Sequence, residues 1–323
     1  MMTPEEEKKI TGWGETLKDD ISIELTLTQD DRSGLFKNFC DHLTRLAPKI
    51  RLKKENEEGS ASPVLRIDNI RYQAIPTGRE LDPFLNLLID RSNPANPLSP
   101  EVQKQLDQIR FPAFLKIYIT PHCPFCPTTV MQLLSIAVAN ELIKLTIIDG
   151  ALFPEMAKSD NIQSAPTLLL EDQFRWSGSI QIREIVDIIL NRDPAQLSEF
   201  SLRDMLSNGD AESVANMMID SEKIFPAFMA LLVHEKWPVR LGAMVAFETI
   251  AEQNRVLAAQ AIPFLQKRFS RAEDTVKGDI LFLIGKSGDD GVIPMLERVL
   301  SGSHPIDVKE AAAEALETFR SSL

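Results

Sequence analysis

Hydrophobic and polar positions follow two different periods along this chain, and the change from one to the other divides it. The start is a capped amphipathic helix expected over 3–20, with Thr3 and Pro4 ahead of Glu5, Glu6 and Glu7. Ile21, Ile23, Leu25 and Leu27 then alternate with polar residues, the period-two mark of a strand. Over 30–46, Leu35, Phe36, Phe39, Cys40, Leu43 and Leu46 fall on one helical stripe. A short strand at 50–54, a hairpin of 64–67 and 71–74 turning at Asp68-Asn69, and a helix over 79–90 complete this order. A linker helix over 99–109 follows, and the order returns. It reads as a strand 114–120, a helix 124–140, a strand 143–148, a short helix 151–159, a hairpin of 167–170 and 173–176, and a closing helix 179–190.

The recurrence can be measured. Thr28 and Thr120 each end the first strand of a copy, and Pro63 and Pro166 each open its hairpin. These intervals are 35 and 46 residues, and the difference is about the short helix that only the second copy has. Two copies of one α/β fold, over 1–98 and 99–192, explain the spacing. Cys40 lies inside the apolar stripe of the first copy, where it reads as a buried core thiol.

From Asp193-Pro194 to the end the pattern is helical, beginning with short helices near 201–207 and 211–220. Pro226, Pro263 and Pro294 then sit at helix starts, and Val239-Arg240, Val276-Lys277 and Val308-Lys309 open second helices 13, 13 and 14 residues later. Proline in the first turn followed by an inward apolar face makes helix pairs that need stacked neighbours. Residues 193–323 therefore resemble a short HEAT-repeat array, a fold class that binds protein partners. Met217, Met218, Met229 and Met244 read as core filler within it.

A net charge of -12 argues against nucleic acid or an anionic membrane as partner, since phosphate binding needs a basic face. The first residues are charged where a secretory leader would be apolar, and no apolar run reaches the ~18 residues of a membrane span. A cytoplasmic protein is expected. In that reducing compartment the close pair of cysteines in Thr120-Pro121-His122-Cys123-Pro124-Phe125-Cys126-Pro127 reads as redox-active or metal-binding rather than structural. A structural zinc ion wants four ligands, and His122 alone lies nearby; His42, His234 and His304 are scattered.

At the strand-to-helix junction, unpaired N–H groups favour a thiolate at Cys123, which makes it the expected nucleophile. Cys126, three residues on and expected one turn inside the helix, is placed to resolve a mixed disulfide. Pro124 fixes a backbone angle between them, and Pro127 takes an N–H out of the first turn. A protonated His122 would add to the thiolate's stabilisation; a solvated loop histidine is the other reading. Trp176 reads as hairpin packing.

The element order, the Cys-Pro-Phe-Cys turn and Ala165-Pro166-Thr167 before the hairpin resemble a thioredoxin or glutaredoxin fold. More narrowly, residues 1–192 resemble the N-terminal tandem-thioredoxin domain of the alkyl hydroperoxide reductase flavoprotein subunit. The segments that carry this are 122–127, Ile148-Asp149-Gly150-Ala151-Leu152-Phe153 and Gly78-Arg79-Glu80. In that family the first unit lacks cysteines, as here, where Gln29-Asp30-Asp31-Arg32 stands in place of the Cys-Pro-Phe-Cys turn. The resemblance implies a cis Pro166 that sets the Ala165 backbone beside the disulfide, where an extended substrate segment can pair. It also implies that Glu80 faces the cysteine pair and accepts a proton from the resolving thiol, against the alternative of an exposed first-turn glutamate. The family's flavin- and nucleotide-binding reductase has no counterpart in this sequence, which contains no GxGxxG after a strand. Gly285-Lys286-Ser287-Gly288 is a lone turn between helices.

The expectation is thus a protein disulfide oxidoreductase working through a reversible Cys123–Cys126 disulfide. It would use no metal or flavin cofactor of its own, would be reduced by an external thiol or flavoprotein donor, and would act on protein disulfides, a peroxiredoxin-type partner among them. The alternative is an adaptor whose helical tail binds a protein while the cysteine pair senses redox state.

Overall fold

The computed structural model describes residues 2–56, 62–89, 98–171 and 173–321. These divide into two compact units, 1–191 and 192–323. In the first unit the helix α1 (Pro4–Thr16) opens with a reciprocal cap: the Glu6 amide donates to Thr3 Oγ1 and the Thr3 amide to Glu6 Oε2. It ends four residues earlier than the periodicity predicts, because residues 17–20 turn into the strand β1 (Ile21–Leu27). Then come α2 (Ser33–Leu46), β2 (Ile50–Asn56), β3 (Val64–Ile67), β4 (Ile70–Gln73), a 3-10 turn (Gly78–Glu80) and α3 (Leu81–Ile89). The expected end of that last helix at Asp90 lies outside the described residues, as does most of the junction toward residue 98.

The order returns with α4 (Pro100–Leu106), β5 (Ala113–Ile119), α5 (Cys126–Ala139), β6 (Ile143–Asp149), α6 (Pro154–Ser159), β7 (Thr167–Leu170), β8 (Phe174–Ser177) and α7 (Ile182–Asn191). All eight strands form one sheet, in the order β2-β1-β3-β4-β6-β5-β7-β8. The seam is the parallel pairing of β4 with β6, Tyr72 opposite Ile147. One apolar row therefore crosses from Leu25 through Leu65, Tyr72, Ile147 and Ile117 to Leu168, all buried.

Helices cover that apolar face. The ring of Phe84 on α3 meets Tyr72 edge-on at 5.3 Å and Phe39 on α2 at 5.7 Å. α5 packs on α3 and β6, α1 on α2 and α3, and α4 joins α5 to α7. On the opposite face the short α6 covers β5: Tyr118 Oη donates to Asp160 Oδ2 at 2.7 Å and Lys116 Nζ reaches it at 3.1 Å. The burial pattern records this asymmetry. β5 and β7 are buried almost throughout, while β1, β3, β4 and the start of β6 alternate, the mark of a sheet with one face left open.

The second unit is helical, with no strand among its described residues: α8 (Glu199–Ser207), α9 (Ala211–Ser221), α10 (Pro226–Leu231), α11 (Trp237–Gln253), α12 (Arg255–Ala259), α13 (Ile262–Phe269), α14 (Asp274–Ser287), α15 (Ile293–Ser301) and α16 (Ile306–Ser321). Each of the three prolines stands in the first turn of α10, α13 or α15. The five-residue α12 is not foreseen by the periodicity. The longer helices lie side by side, α9 on α11, α11 on α14 and α14 on α16. Two ion pairs join α11 to α14: Arg240 Nε to Asp279 Oδ2 at 2.6 Å and Lys286 Nζ to Glu248 Oε1 at 2.8 Å. Arg240 is the buried one, and its guanidinium also donates to the carbonyls of His234 and Glu235, which end the preceding turn. No helix is long and apolar enough to cross a membrane among the described residues.

Candidate functional site: a buried cysteine pair beside a buried carboxylate

β5 ends at Ile119, and residues 120–125 form the turn that feeds α5. The helix begins at Cys126, two residues later than the periodicity predicts, with Phe125 as its cap and Pro127 in its first turn. Cys126 is therefore at the helix start rather than one turn inside. The physical reason lies in the turn: the Cys126 amide donates to Cys123 Sγ at 3.1 Å, and the Cys123 amide to the Thr120 carbonyl at 3.1 Å. The sulfur of Cys123 thus takes one of the N–H groups that a helix start leaves unpaired, a donor aimed where a thiolate's charge would sit.

Cys123 and Cys126 are not bonded to each other. Cys123 is 8% exposed and Cys126 fully buried, while His122, Pro124 and Phe125 face solvent, Phe125 at 71%. Burial, with the hydrogen bond to Cys123 and the charge of Glu80, pushes the Cys126 thiol well above the ordinary cysteine range. His122 makes no hydrogen bond or ion pair among the described residues. Behind the pair, the Ala165–Pro166 peptide bond is cis, and the Cys123 thiol reaches the Ala165 carbonyl at 3.5 Å. Pro166 and Thr167 are buried, and Thr167 Oγ1 donates to the Ser164 carbonyl at 2.8 Å. Trp176 stacks on Phe174 at 6.3 Å and donates to Glu184, within the hairpin and its neighbour helix.

Glu80 is not an exposed first-turn residue. It ends the 3-10 turn that packs on α5, is 5% exposed, and its Oε2 has no hydrogen-bond partner. Burial first, and then the charge of Asp149, push its carboxyl up to about 7. Two residues of this neighbourhood escape the sequence reading. Asp149, at the end of β6, accepts from the amides of Ala151 and Leu152, and its charge is felt at Glu80. Tyr72 is fully buried with its hydroxyl unpaired, and burial with the Glu80 charge raises its pKa far above the tyrosine range. Asp149 stands in a segment the sequence marks, but nothing local signals the role of Tyr72, whose position depends on the β4–β6 seam. Among the described residues no cluster of three or more His, Cys, Asp or Glu side chains is placed to hold a metal ion.

The arrangement offers a partly reachable sulfur, a shielded second sulfur at the helix start, and a carboxylate poised to exchange a proton near neutrality. These are the parts of thiol–disulfide exchange. A thioredoxin-domain family (Thioredoxin_3) matches residues 114–191, which hold both cysteines. Among curated proteins the chain is similar to an NADH dehydrogenase of Ferdinandcohnia aciditolerans, 24% identical over 224 residues, covering 68% of this chain and 43% of that protein. It is likewise similar to the alkyl hydroperoxide reductase AhpF of Staphylococcus epidermidis, 24% identical over 194 residues, covering 59% of this chain and 38% of that one. The chain thus spans less than half the length of these relatives. Among solved structures it superposes on the NTD_N/C domain of alkylhydroperoxide reductase AhpF from Enterococcus faecalis, with TM-score 0.51 and 22% identity over 58% of this chain and all of that one. A protein disulfide oxidoreductase from Aeropyrum pernix gives TM-score 0.53 at 13% identity, covering 61% of this chain and 95% of the other. The chain carries a thioredoxin-like α/β domain resembling the N-terminal domain of AhpF and protein disulfide oxidoreductases, followed by a largely helical C-terminal part.

Proposed function

We propose that the protein is a thiol–disulfide oxidoreductase whose working group is the Cys123–Cys126 pair. The Cys123 thiolate attacks one sulfur of a partner's disulfide, forming a mixed disulfide and releasing the partner's other sulfur as thiolate. Cys126 loses its proton to Glu80 and attacks Cys123 Sγ, closing the Cys123–Cys126 disulfide and freeing the partner's second thiolate. Two electrons pass from the pair to the partner. An external thiol or flavoprotein donor returns them. The observation that carries this reading is the pairing of a shielded, proton-retaining Cys126 with a buried, unpartnered Glu80. Such a carboxylate is a poor ion pair and a good proton acceptor near pH 7.

On the same reading residues 1–98 and 99–192 are two thioredoxin-like units, the first without cysteines, and 193–323 is a HEAT-like domain that holds a protein partner. The substrates are protein disulfides, with a peroxiredoxin-type partner the first to try, and the protein works in the cytoplasm. The observation supporting the repeat is the Arg240–Asp279 pair between consecutive second helices, buried where stacked repeats meet.

The test is trapping. With Cys126→Ser, a mixed disulfide at Cys123 is expected to persist, and mass spectrometry of the adduct identifies the partner. If Cys123→Ser traps as well as Cys126→Ser, the assignment of nucleophile and resolving thiol is wrong; if neither traps and the wild-type pair resists mild oxidants, the exchange reading fails.

A further inference from the structure

Two buried polar atoms near the cysteine pair, Tyr72 Oη and Glu80 Oε2, have no hydrogen-bond partner among the described residues. The fold brings their residues into one neighbourhood. Glu80 ends the 3-10 turn that runs straight into α3, and Phe84 stands four residues further on, on the same side of that run. The Phe84 ring meets the Tyr72 ring edge-on at 5.3 Å, and the Glu80 charge is felt at the Tyr72 hydroxyl.

The other groups around Glu80 offer it little. On its own turn and helix, Arg79 is exposed to water, and Asp82 is exposed and paired with Lys9. On α1, Glu6 Oε1 accepts the Gly78 amide at 2.5 Å. Asp149 after β6 is an acceptor like Glu80 itself, already served by the amides of Ala151 and Leu152. On α5 the Cys126 amide is taken by Cys123 Sγ, and the Thr129 hydroxyl by the Phe125 carbonyl. Apart from the reacting Cys126 thiol, the buried donor left uncommitted is Tyr72. A tyrosine hydroxyl both donates and accepts, so it can serve a carboxylate and a protonated carboxyl alike. Burial and the Glu80 charge keep the proton on Tyr72, which can therefore bond to Glu80 without replacing it as the acid–base group.

We propose, resting on the reading of Glu80 as the proton acceptor, that Tyr72 is a positioning residue whose hydroxyl donates to the Glu80 carboxylate awaiting the Cys126 proton and accepts from the carboxyl afterwards. Deleting the hydroxyl removes a bond that favours the ionised form, so Glu80 should then hold its proton to higher pH. The experiment compares wild type, Tyr72→Phe and Glu80→Gln in the full chain. Carboxyl-carbon NMR follows the Glu80 titration, its signal identified by loss in Glu80→Gln. In Tyr72→Phe the midpoint is expected to rise by about half a unit or more. Circular dichroism verifies the fold of that variant. Fluorotyrosine, a stronger donor of nearly the same shape, should lower the midpoint and carries the test if Tyr72→Phe does not fold; the chain's other tyrosine, Tyr118, bonds Asp160 on the opposite face. A second readout is closure. Cys123 is loaded with Ellman's reagent, and stopped-flow absorbance follows nitrothiobenzoate thiolate as Cys126 displaces it at each pH. The closure profile is expected to move to higher pH in Tyr72→Phe, and Tyr72→Phe should move it no further in a Glu80→Gln background. A packing role would lower stability at every pH and leave both midpoints in place. If Glu80→Gln leaves the closure profile as in wild type, the proton-acceptor reading fails, while the carbon titration still decides the Tyr72–Glu80 bond. A Glu80 midpoint unmoved in folded Tyr72→Phe, or unmoved by fluorotyrosine, would overturn the inference.

Discussion

Glu80→Gln tests the buried carboxylate without touching either sulfur. In the fold the Glu80 carboxyl is pushed from 4.5 up to about 7, chiefly by burial and then by Asp149. Because the folded state holds this proton more tightly than the unfolded chain does, the stability it confers is full below about pH 4.5 and is lost as pH rises to about 7. The interval of about 2.5 units corresponds to about 3 kcal/mol at ~1.36 kcal/mol per unit. Glutamine occupies the same space and does not titrate. The stability of the wild type relative to Glu80→Gln is therefore expected to fall by about 3 kcal/mol between pH 4.5 and pH 8, all other groups cancelling in the difference. Urea titrations measure it. With a slope near 2 kcal/mol/M, the gap between the two midpoints changes by about 1.5 M across that range. A Trp237→Phe background confines the fluorescence to the first unit, where Trp13 is buried with its Nε1 donating to the Leu85 carbonyl at 3.2 Å. Parallel pH curves for the two proteins would refute the argument. A pH-dependent gap that survives in Asp149→Asn, but is narrower, would apportion the shift between burial and charge.

Three further outcomes are expected. Burial, then the Asp41 charge, pushes the Cys40 thiol up to about 12, so in folded protein at pH 8 iodoacetamide should label Cys123 and spare Cys40 until urea opens the core; mass mapping reads the result. Arg240→Ala leaves Asp279 and two backbone carbonyls without their donor and should destabilise the helical unit by about 3–5 kcal/mol in thermal or denaturant unfolding. Gly285→Val on α14 should cost about 1–3 kcal/mol, because even a Cβ there meets the Cα and Cβ of Ala315 on α16 at 3.0 Å.

Period alone locates nearly every strand of the first unit and most helices of both, because burial on one face imposes alternation and helical stripes locally. The start of α5 is an instructive difference. The sequence reading places it at Pro124, yet Pro127 already signals a first turn beginning near Cys126, since proline is tolerated only where its missing N–H has no helical partner. Cys123 and Cys126 are legible as a close pair because their spacing is short. The burial of Glu80 is not legible from Gly78-Arg79-Glu80-Leu81-Asp82, a charged stretch that reads as surface. It follows from the 3-10 turn packing on α5, a contact between residues more than 40 positions apart. Tyr72 is hidden for the same reason: which edge of the hairpin meets which later strand is a tertiary choice, and no local pattern around Ile70–Gln73 encodes the β6 partner.

On the proposed function, that tertiary choice would give the cysteine-free half a chemical part to play. Had β4 remained an edge strand, its backbone donors would face water and Tyr72 would lie at the rim of a sheet. Pairing with β6 instead buries Tyr72 and carries the chain from Gln73 over to the 3-10 turn against α5, where Glu80 meets the cysteine side of the other half. At the opposite end of the copy, Arg32 stands in the stretch that corresponds to the cysteine turn, and its guanidinium donates to the Leu152 carbonyl at 2.9 Å and pairs with Glu155 at 2.6 Å. It also lies 4.1 Å over the Phe153 ring. This anchors the loop that follows Asp149, the residue whose charge is felt by Glu80. In the proposed exchange the half without cysteines would supply the carboxylate and hold in place the loop beside the group that tunes it, and the half with cysteines the sulfurs. Neither half contains both Glu80 and the cysteine pair. A single continuous sheet is what keeps the parts in register, since a slip of one residue at the β4–β6 seam would turn Tyr72 to the open face and draw Glu80 away from α5.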